Sequence, residues 1–335
     1  MKRSRIAING FGRIGRIFLR EALKNDAIEV LAINDLSSVE TLAHLFKYDS
    51  VHRIAQAEVG VEGGDLVIDG RRIRVFAERN PENLPWAELG IDFVLESTGV
   101  FRTREKAEAH IKAGAKRVML SAPPKGKGVN SYVYGINEEH LTAEEDIISN
   151  ASCTTNSCAH AVKHIDEQWG INKGFLTTIH AYTSDQRLHD APHRDLRRAR
   201  AAARSMIPTS TGAAKAVVKL FPHLKGRFQG NAIRVPVEDG SITALTFLLE
   251  KEVDVETINS SFKSLANNEL SGILQYTEDP IVSVDVLSNT HSGVFDAGLT
   301  EAMGNLVRIN IWYDNEYGYS TRCVDLLAYH SRKFS

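Results

Sequence analysis

The chain has 335 residues, 43% of them hydrophobic and 24% charged, with a formal net charge of -2. That length suits two domains rather than one core, and the composition is that of an ordinary globular protein. A charge so close to zero gives no global attraction to nucleic acid or to an anionic membrane, and no apolar run is long enough to span a bilayer.

Arg5 to Asn9 reads as a strand and Ile14 to Lys24 as a helix. The apolar run Ile6-Ala-Ile8 is too short for the core of a secretory signal. Glu29 to Asn34 is the next strand, and Val39 to Phe46 has helical apolar spacing. Residues 55–76 carry short alternating strands with turns at Gly63-Gly64 and Asp69-Gly70, which predict hairpins in or beside a sheet. Phe93 to Ser97, a helix around Arg104 to Ala113, and Arg117 to Ser121 follow. Strands alternating with helices imply βαβ units and a parallel sheet.

The rhythm changes after residue 150. Cys158, Ala161, Val162, Ile165 and Trp169 form the apolar stripe of one amphipathic helix. Five long β-like runs come next: Phe175 to Tyr182, Ala232 to Val237, Ser241 to Leu249, Ile281 to Val286 and Leu306 to Tyr313. The second half therefore reads as α+β with a mostly antiparallel sheet, and Thr321 to His330 as a closing helix. The expected division is 1–152, with a helix at 316–335 packing back on it, and 153–315.

Gly10-Phe11-Gly12-Arg13-Ile14-Gly15 is G-x-G-x-x-G at a strand-to-helix turn. Its glycines permit the tight turn, the approach of a pyrophosphate and close helix–strand packing, and the helix N-terminus offers free N–H groups. Asp35 ends the second strand, where a carboxylate accepts from ribose hydroxyls and repels a 2′-phosphate; this favours NAD over NADP. Arg79 and Ser121 are weaker candidates for cofactor contacts.

Cys153 precedes the amphipathic helix, a position that favours the thiolate, with Ser152 or Thr154 as caps. Cys158 and Cys323 sit in apolar helical patterns and read as small buried hydrophobes. Three cysteines, an odd number without zinc-type pairing, point to a reducing cytoplasm. His180, at the end of a strand, is the residue type that takes a thiol proton and polarises an aldehyde. His189 and His193 have the spacing of a metal pair, but Pro192 breaks a helix between them, so no metal is expected.

Taken together, the motifs carry a resemblance over almost the whole chain. Asn9-Gly-Phe-Gly-Arg-Ile-Gly15, Lys47-Tyr-Asp-Ser50, Glu96-Ser-Thr-Gly99, Ser149-Asn-Ala-Ser-Cys-Thr-Thr-Asn156, Pro208-Thr-Ser-Thr-Gly-Ala-Ala-Lys215, Arg234-Val-Pro236, Tyr276-Thr-Glu278 and Trp312-Tyr-Asp-Asn-Glu316 resemble the phosphorylating glyceraldehyde-3-phosphate dehydrogenase family. The resemblance implies a Rossmann-type doubly wound NAD-binding domain followed by an α+β catalytic domain. It implies Cys153 as nucleophile and His180 as base. Ser152, Thr154, Thr211 and Gly212 match the site for inorganic phosphate, and Thr183 and Arg234 the site for the substrate's own phosphate. Gly10, Phe11, Gly12, Arg13, Ile14, Asp35, Arg79, Thr98, Gly99 and Ser121 match cofactor contacts, as do Asn315, which holds the carboxamide, and Tyr319 near it. The basic stretch Arg194 to Arg204, which alone would suggest an RNA patch, matches a loop lining the cofactor sites of neighbouring subunits, so a homotetramer is implied.

The sequence also departs from the family pattern. Ser157 stands where many members carry a second cysteine, Arg53 replaces a common glycine, and Val237 to Ser241 and Ala244 differ from the usual segment. Erythrose-4-phosphate dehydrogenase is the neighbouring alternative, and Thr183 with Thr211-Gly212 favours the triose enzyme. A silent NAD- or RNA-binding protein is disfavoured by intact Cys153, His180 and Arg234, and a cysteine hydrolase by the dinucleotide motif.

Overall fold

A computed structural model describes residues 3–334. The first two residues of the expected 1–152 region and the last of the expected 316–335 helix lie outside these. The chain divides into two compact units, one running through Ser152 and resuming at Ser320, the other Cys153–Tyr319.

In the first unit the strands are β1 (Ser4–Asn9), β2 (Ile28–Asn34), β3 (Val59–Glu62), β4 (Asp65–Ile68), β5 (Arg71–Phe76), β6 (Phe93–Glu96), β7 (Arg117–Leu120), β8 (Asn130–Ser131) and β9 (Ile147–Ser149). Their order in the sheet is β8-β9-β7-β6-β1-β2-β5-β4-β3. From β8 to β5 every pairing is parallel, and β5-β4-β3 form an antiparallel meander that extends the edge. The helices α1 (Arg13–Ala22), α2 (Val39–Lys47) and α3 (Arg104–Lys112) connect the strands. Ile6, Ala7 and Ile8 of β1 are fully buried, as the middle of a sheet covered on both faces requires. The expected hairpins at 55–76 form at both predicted turns.

The second unit contains α4 (Cys153–Trp169), β10 (Ile171–Ala181), β11 (Ile207–Thr209), α5 (Ala213–Leu220), β12 (Phe228–Val235), β13 (Ser241–Leu249), α6 (Val255–Asn267), β14 (Leu274–Thr277), β15 (Gly293–Asp296), β16 (Glu301–Met303) and β17 (Leu306–Tyr313). The chain closes with α7 (Tyr317–Phe334). The sheet order is β11-β12-β10-β13-β17-β15-β14, with β16 beside β17. It is mixed: β10–β12 and β14–β15 are parallel, and the other pairings are antiparallel.

One expected strand does not form. Ile281 to Val286 has the β-branched residues of a strand, yet Ser283–Val286 is a 3-10 turn. The Asp285 carboxylate accepts from the Val282 N–H at 2.8 Å and closes the turn, leaving Val282 and Val284 exposed. Among the described residues, no helix is long and apolar enough to cross a membrane.

The alternation of side chains along these strands places the chemistry. On one face of the sheet β10 presents Leu176, Thr178 and His180. β13 presents Leu245, Thr243 and Ser241 beside them, and β17 presents Ile309, Ile311 and Tyr313. Each row runs from apolar to polar towards the same end. The apolar end packs against Cys158, Ala161, Val162 and Ile165 of α4 in one continuous core. The polar end lies at the helix N-terminus, where Cys153 is.

Candidate active site

The dinucleotide turn is shaped by contacts that a side chain would destroy. Gly10 has φ +93°, and a Cβ there would lie 2.7 Å from the Thr98 backbone nitrogen; one on Gly15 would lie 2.3 Å from the Gly10 carbonyl oxygen. Gly12, by contrast, faces open space, with nothing within 4 Å of its missing Cβ. No side chain caps α1 at Gly12, so the helix start carries no oxygen of its own to compete with an anion. This combination of an open glycine and an uncapped helix fits a pyrophosphate.

The individual cofactor candidates divide by what they can offer. The Phe11 ring is buried against Phe46, with centroids 6.1 Å apart, and its N–H donates to the Asp35 carboxylate at 2.9 Å. It is an anchor for the turn. The Arg13 side chain is likewise held by Asp49 at 2.6 Å, so the Lys47-to-Ser50 motif secures the loop from below. The Asp35 carboxylate also accepts from Ser37 N–H at 3.0 Å and stays half-buried at the end of β2. Ile14 is half-buried in the first turn of α1, and Arg79, Thr98 and Gly99 are exposed. Ser121 donates both N–H and hydroxyl to the Glu96 carbonyl, at 3.0 and 3.1 Å.

Beneath this loop is a polar network in which the sequence assigns no role to Asn9, Asn34, Glu96 or His110. The Glu96 carboxylate is buried and accepts from Asn9 Nδ2 at 2.6 Å, from the Thr98 N–H at 2.9 Å and from the Thr98 hydroxyl. His110 Nδ1 accepts from the Trp86 indole at 3.1 Å, which leaves the proton on Nε2 to donate to Glu96 at 3.1 Å. Asn34 donates to the Asn9 side chain at 2.7 Å. Glu96 thus fixes Thr98, and the Thr98 backbone lies against Gly10. Polar residues inside apolar strands at Asn9 and Glu96 were the available signal.

In the second unit the cysteine and the histidine meet. Cys153 Sγ lies 3.4 Å from His180 Nε2. His180 and Arg234 are register partners on the parallel strands β10 and β12. That pairing brings the guanidinium within 2.8 Å of His180 Nδ1, and it also donates to the Ala181 carbonyl at 2.9 Å. Nδ1 has an acceptor 2.7 Å away in that same carbonyl. Either neutral tautomer therefore has a partner on Nδ1, and Nε2 can hold a proton towards the sulfur or receive one from it.

Burial pushes His180 down to about 3, with the positive charge of Arg234 acting in the same direction. The imidazole is a neutral base near pH 7. Burial raises the Cys153 thiol above its ordinary value, against the opposing pull of Arg234 and of the Thr154 N–H and hydroxyl. The helix N-terminus does favour the thiolate, as expected, but burial outweighs it, so deprotonation depends on the neighbouring base. Thr154 is not the cap: it is buried in the first turn, with its hydroxyl 2.9 Å from the Tyr313 phenol oxygen.

Of the other candidates, Ser152 immediately precedes α4 and is half-buried. Thr183 lies just past β10, its N–H donating to Gln186 at 3.4 Å. Thr211 and Gly212 open α5, where the Thr211 hydroxyl accepts from the Ala213 N–H at 3.1 Å. Asn315 is buried, and Ser241 Oγ donates to its Oδ1 at 2.5 Å, which fixes the direction of the amide. The same Ser241 hydroxyl accepts from Ala181 N–H at 3.1 Å. Tyr319 is buried at the start of α7. Cys158 and Cys323 are fully buried.

Known proteins match the chain over both units. Residues 4–104 match the glyceraldehyde 3-phosphate dehydrogenase NAD binding domain, and residues 152–315 match the glyceraldehyde 3-phosphate dehydrogenase C-terminal domain. Among curated relatives, the glyceraldehyde-3-phosphate dehydrogenase of Thermotoga maritima is 56% identical over 327 residues, covering 97% of this chain and 98% of that one. That of Geobacillus stearothermophilus is 53% identical over 331 residues, covering 98% of each. With both domains matched and identity of this level end to end, the chain belongs to the glyceraldehyde-3-phosphate dehydrogenase family.

Proposed function

We propose that Cys153 and His180 carry out the oxidation of D-glyceraldehyde 3-phosphate, with NAD as oxidant and inorganic phosphate as the second substrate, to give 1,3-bisphosphoglycerate. As a member of its family the protein is an NAD-dependent oxidoreductase of glycolysis. The observation that carries the residue assignment is the 3.4 Å approach of Cys153 Sγ to a neutral, buried His180.

His180 Nε2 takes the thiol proton as the sulfur attacks the aldehyde carbon, and the oxygen of the resulting hemithioacetal is reprotonated. His180 then removes that hydroxyl proton while hydride leaves the carbon, forming a thioester on Cys153. Bound NAD supplies the acceptor for that hydride. Inorganic phosphate attacks the thioester carbonyl, and the Cys153 thiolate leaves and recovers its proton. Arg234, whose half-buried guanidinium lies beside His180, pairs with the phosphate of the substrate together with Thr183. Ser152, Thr154, Thr211 and Gly212 receive the attacking phosphate.

Residues 1–152 with the C-terminal helix 316–335 form the NAD-binding domain, where Gly10, Gly12, Arg13 and Ile14 offer backbone to the pyrophosphate and Asp35 accepts from the ribose. Thr98, Gly99, Arg79 and Ser121 complete the contacts, and Asn315 with Tyr319 orients the carboxamide. Residues 153–315 form the catalytic domain. The protein is a cytoplasmic homotetramer, a reading supported by three cysteines in the thiol state and by Phe175, Leu248 and Leu306 exposed on the outward face of the second sheet. Sedimentation tests the assembly: a monomer at micromolar concentration would overturn it.

NADH formation from glyceraldehyde 3-phosphate, with and without inorganic phosphate, tests the reaction. Turnover should require phosphate and vanish in Cys153→Ser. Turnover indifferent to phosphate, or surviving in that variant, would overturn the assignment.

A further inference from the structure

Tyr313 closes β17 with its side chain buried to 1% exposure. Its phenol oxygen lies 2.9 Å from the Thr154 hydroxyl and 2.9 Å from the Thr178 hydroxyl. Thr154 follows Cys153 in the first turn of α4. Thr178 precedes His180 by two residues on β10 and so shares its face of the sheet. A single oxygen thereby joins the helix that carries the thiol to the strand that carries the imidazole. The Tyr313 ring also stands edge-on to the His180 ring, with centroids 5.9 Å apart and planes at 81°. Thr243, opposite Ile311 on β13, places a third hydroxyl beside the phenol.

We propose that Tyr313 is a positioning residue for the Cys153–His180 pair, aligning a chain of hydroxyl groups that runs from Thr178 to Thr154, the neighbour of the cysteine. The proposal rests on the assignment of Cys153 as nucleophile. The N–H and the hydroxyl of Thr154 both act to lower the Cys153 thiol, against the effect of burial. A hydroxyl has one proton to give and two acceptor positions. If Tyr313 donates to Thr154, the Thr154 proton stays available to the reacting groups, and Thr178 completes the chain by donating to Tyr313. The reverse direction would commit the Thr154 proton to the phenol. Burial holds the phenol protonated far above its ordinary range, so Tyr313 remains a donor throughout the working pH range. Aligned bonds of this kind polarise one another, and the benefit falls on the atom that becomes charged. Tyr313 touches neither sulfur nor imidazole through its oxygen; it acts through Thr154 and Thr178.

The rate of Cys153 alkylation by iodoacetamide, measured from pH 5 to 10, reads this directly. Tyr313→Phe keeps the ring and deletes the chain's central hydroxyl. The midpoint of the alkylation profile should rise by about one pH unit, and kcat should fall about tenfold with KM for NAD unchanged. Thr178→Val, which retains shape and loses one hydroxyl, should move the midpoint the same way by a smaller amount, and Thr178→Ser should restore the parent profile. A parent-like midpoint in Tyr313→Phe, or equal shifts in Thr178→Val and Thr178→Ser, would overturn the proposal. Cys153→Ser run in parallel separates the two readings. If it keeps full turnover, the nucleophile assignment and this proposal fall together. If it is inactive while Tyr313→Phe behaves as the parent, this proposal alone falls.

Discussion

The two units build their sites by opposite means. In the first unit the glycine turn offers groups that lie close together in sequence and are mostly backbone: a helix start without a side-chain cap and glycines pressed against neighbouring chain. In the second, side chains far apart in sequence converge because strand register puts His180 beside Arg234 and because α4 begins over the polar end of the sheet. A contiguous backbone site is intolerant of added atoms, whereas a side-chain site is intolerant of lost functional groups. Substitutions can separate these two sensitivities.

The largest effect belongs to Cys153→Ser in the side-chain site. Turnover should fall by at least about a thousandfold because the thioester cannot form at a useful rate. Titration calorimetry should find NAD affinity unchanged within a factor of about two, since one uncharged group replaces another in the other unit. A parallel loss of NAD affinity would erase the distinction between the units.

Next comes His180→Asn, which removes the base and keeps a polar side chain. Turnover should fall by about 10²- to 10⁴-fold. The pH dependence of thiol alkylation should also change, because Nε2 is the group 3.4 Å from the sulfur. Unchanged kcat would remove His180 from the mechanism.

The mirror experiment is Gly10→Ala. At φ +93° and 2.7 Å from the Thr98 nitrogen, the added methyl must displace the turn. NAD binding should weaken by about 10-fold or more, whereas alkylation of Cys153 in the absence of NAD should match the parent. Glu96→Gln is the milder version. It preserves shape but exchanges a carboxylate that accepts four hydrogen bonds for an amide that must also donate, so NAD affinity should fall by about threefold to tenfold. Parent-like affinity in both variants would show that the loop is shaped by the cofactor itself.

The smallest effect tests stability in acid. Burial pushes His180 down to about 3 and His330, in the first unit, down to about 4. Between those values and the ordinary 6.5 the unfolded chain binds more protons than the folded one. The stability from keeping each ring neutral is therefore full above about pH 6.5 and is lost as pH falls towards the folded value, by at most about 1.4 kcal/mol per pH unit for each histidine. The loss in urea midpoint between pH 7 and pH 5 should be smaller in His180→Asn than in the parent. An equal or larger loss would mean that His180 is not held neutral by the fold.

Local order was legible in the chain itself. The βαβ rhythm, the glycine turn, the α4 stripe and the strands Ser241–Leu249 and Leu306–Tyr313 follow from periodicity and turn chemistry, which act over a few residues. The same logic failed at Ile281 to Val286, where β-branched residues suggested a strand and one carboxylate closed a turn. It also passed over Leu274–Thr277 and Gly293–Asp296, short strands whose membership in the sheet depends on neighbours distant in sequence. Cys153, His180 and Arg234 could be named from their residue types and motifs. Their mutual distances could not, because those are set by register between β10 and β12 and by the seat of α4 on the sheet. The polar residues that hold the sites in shape, Glu96 with Asn9 and His110 below the glycine turn and Tyr313 between two threonines, acquire their roles only through tertiary contact. Hydrogen bonds between residues 14 to 159 positions apart leave no local pattern; only the folded chain brings these partners within reach.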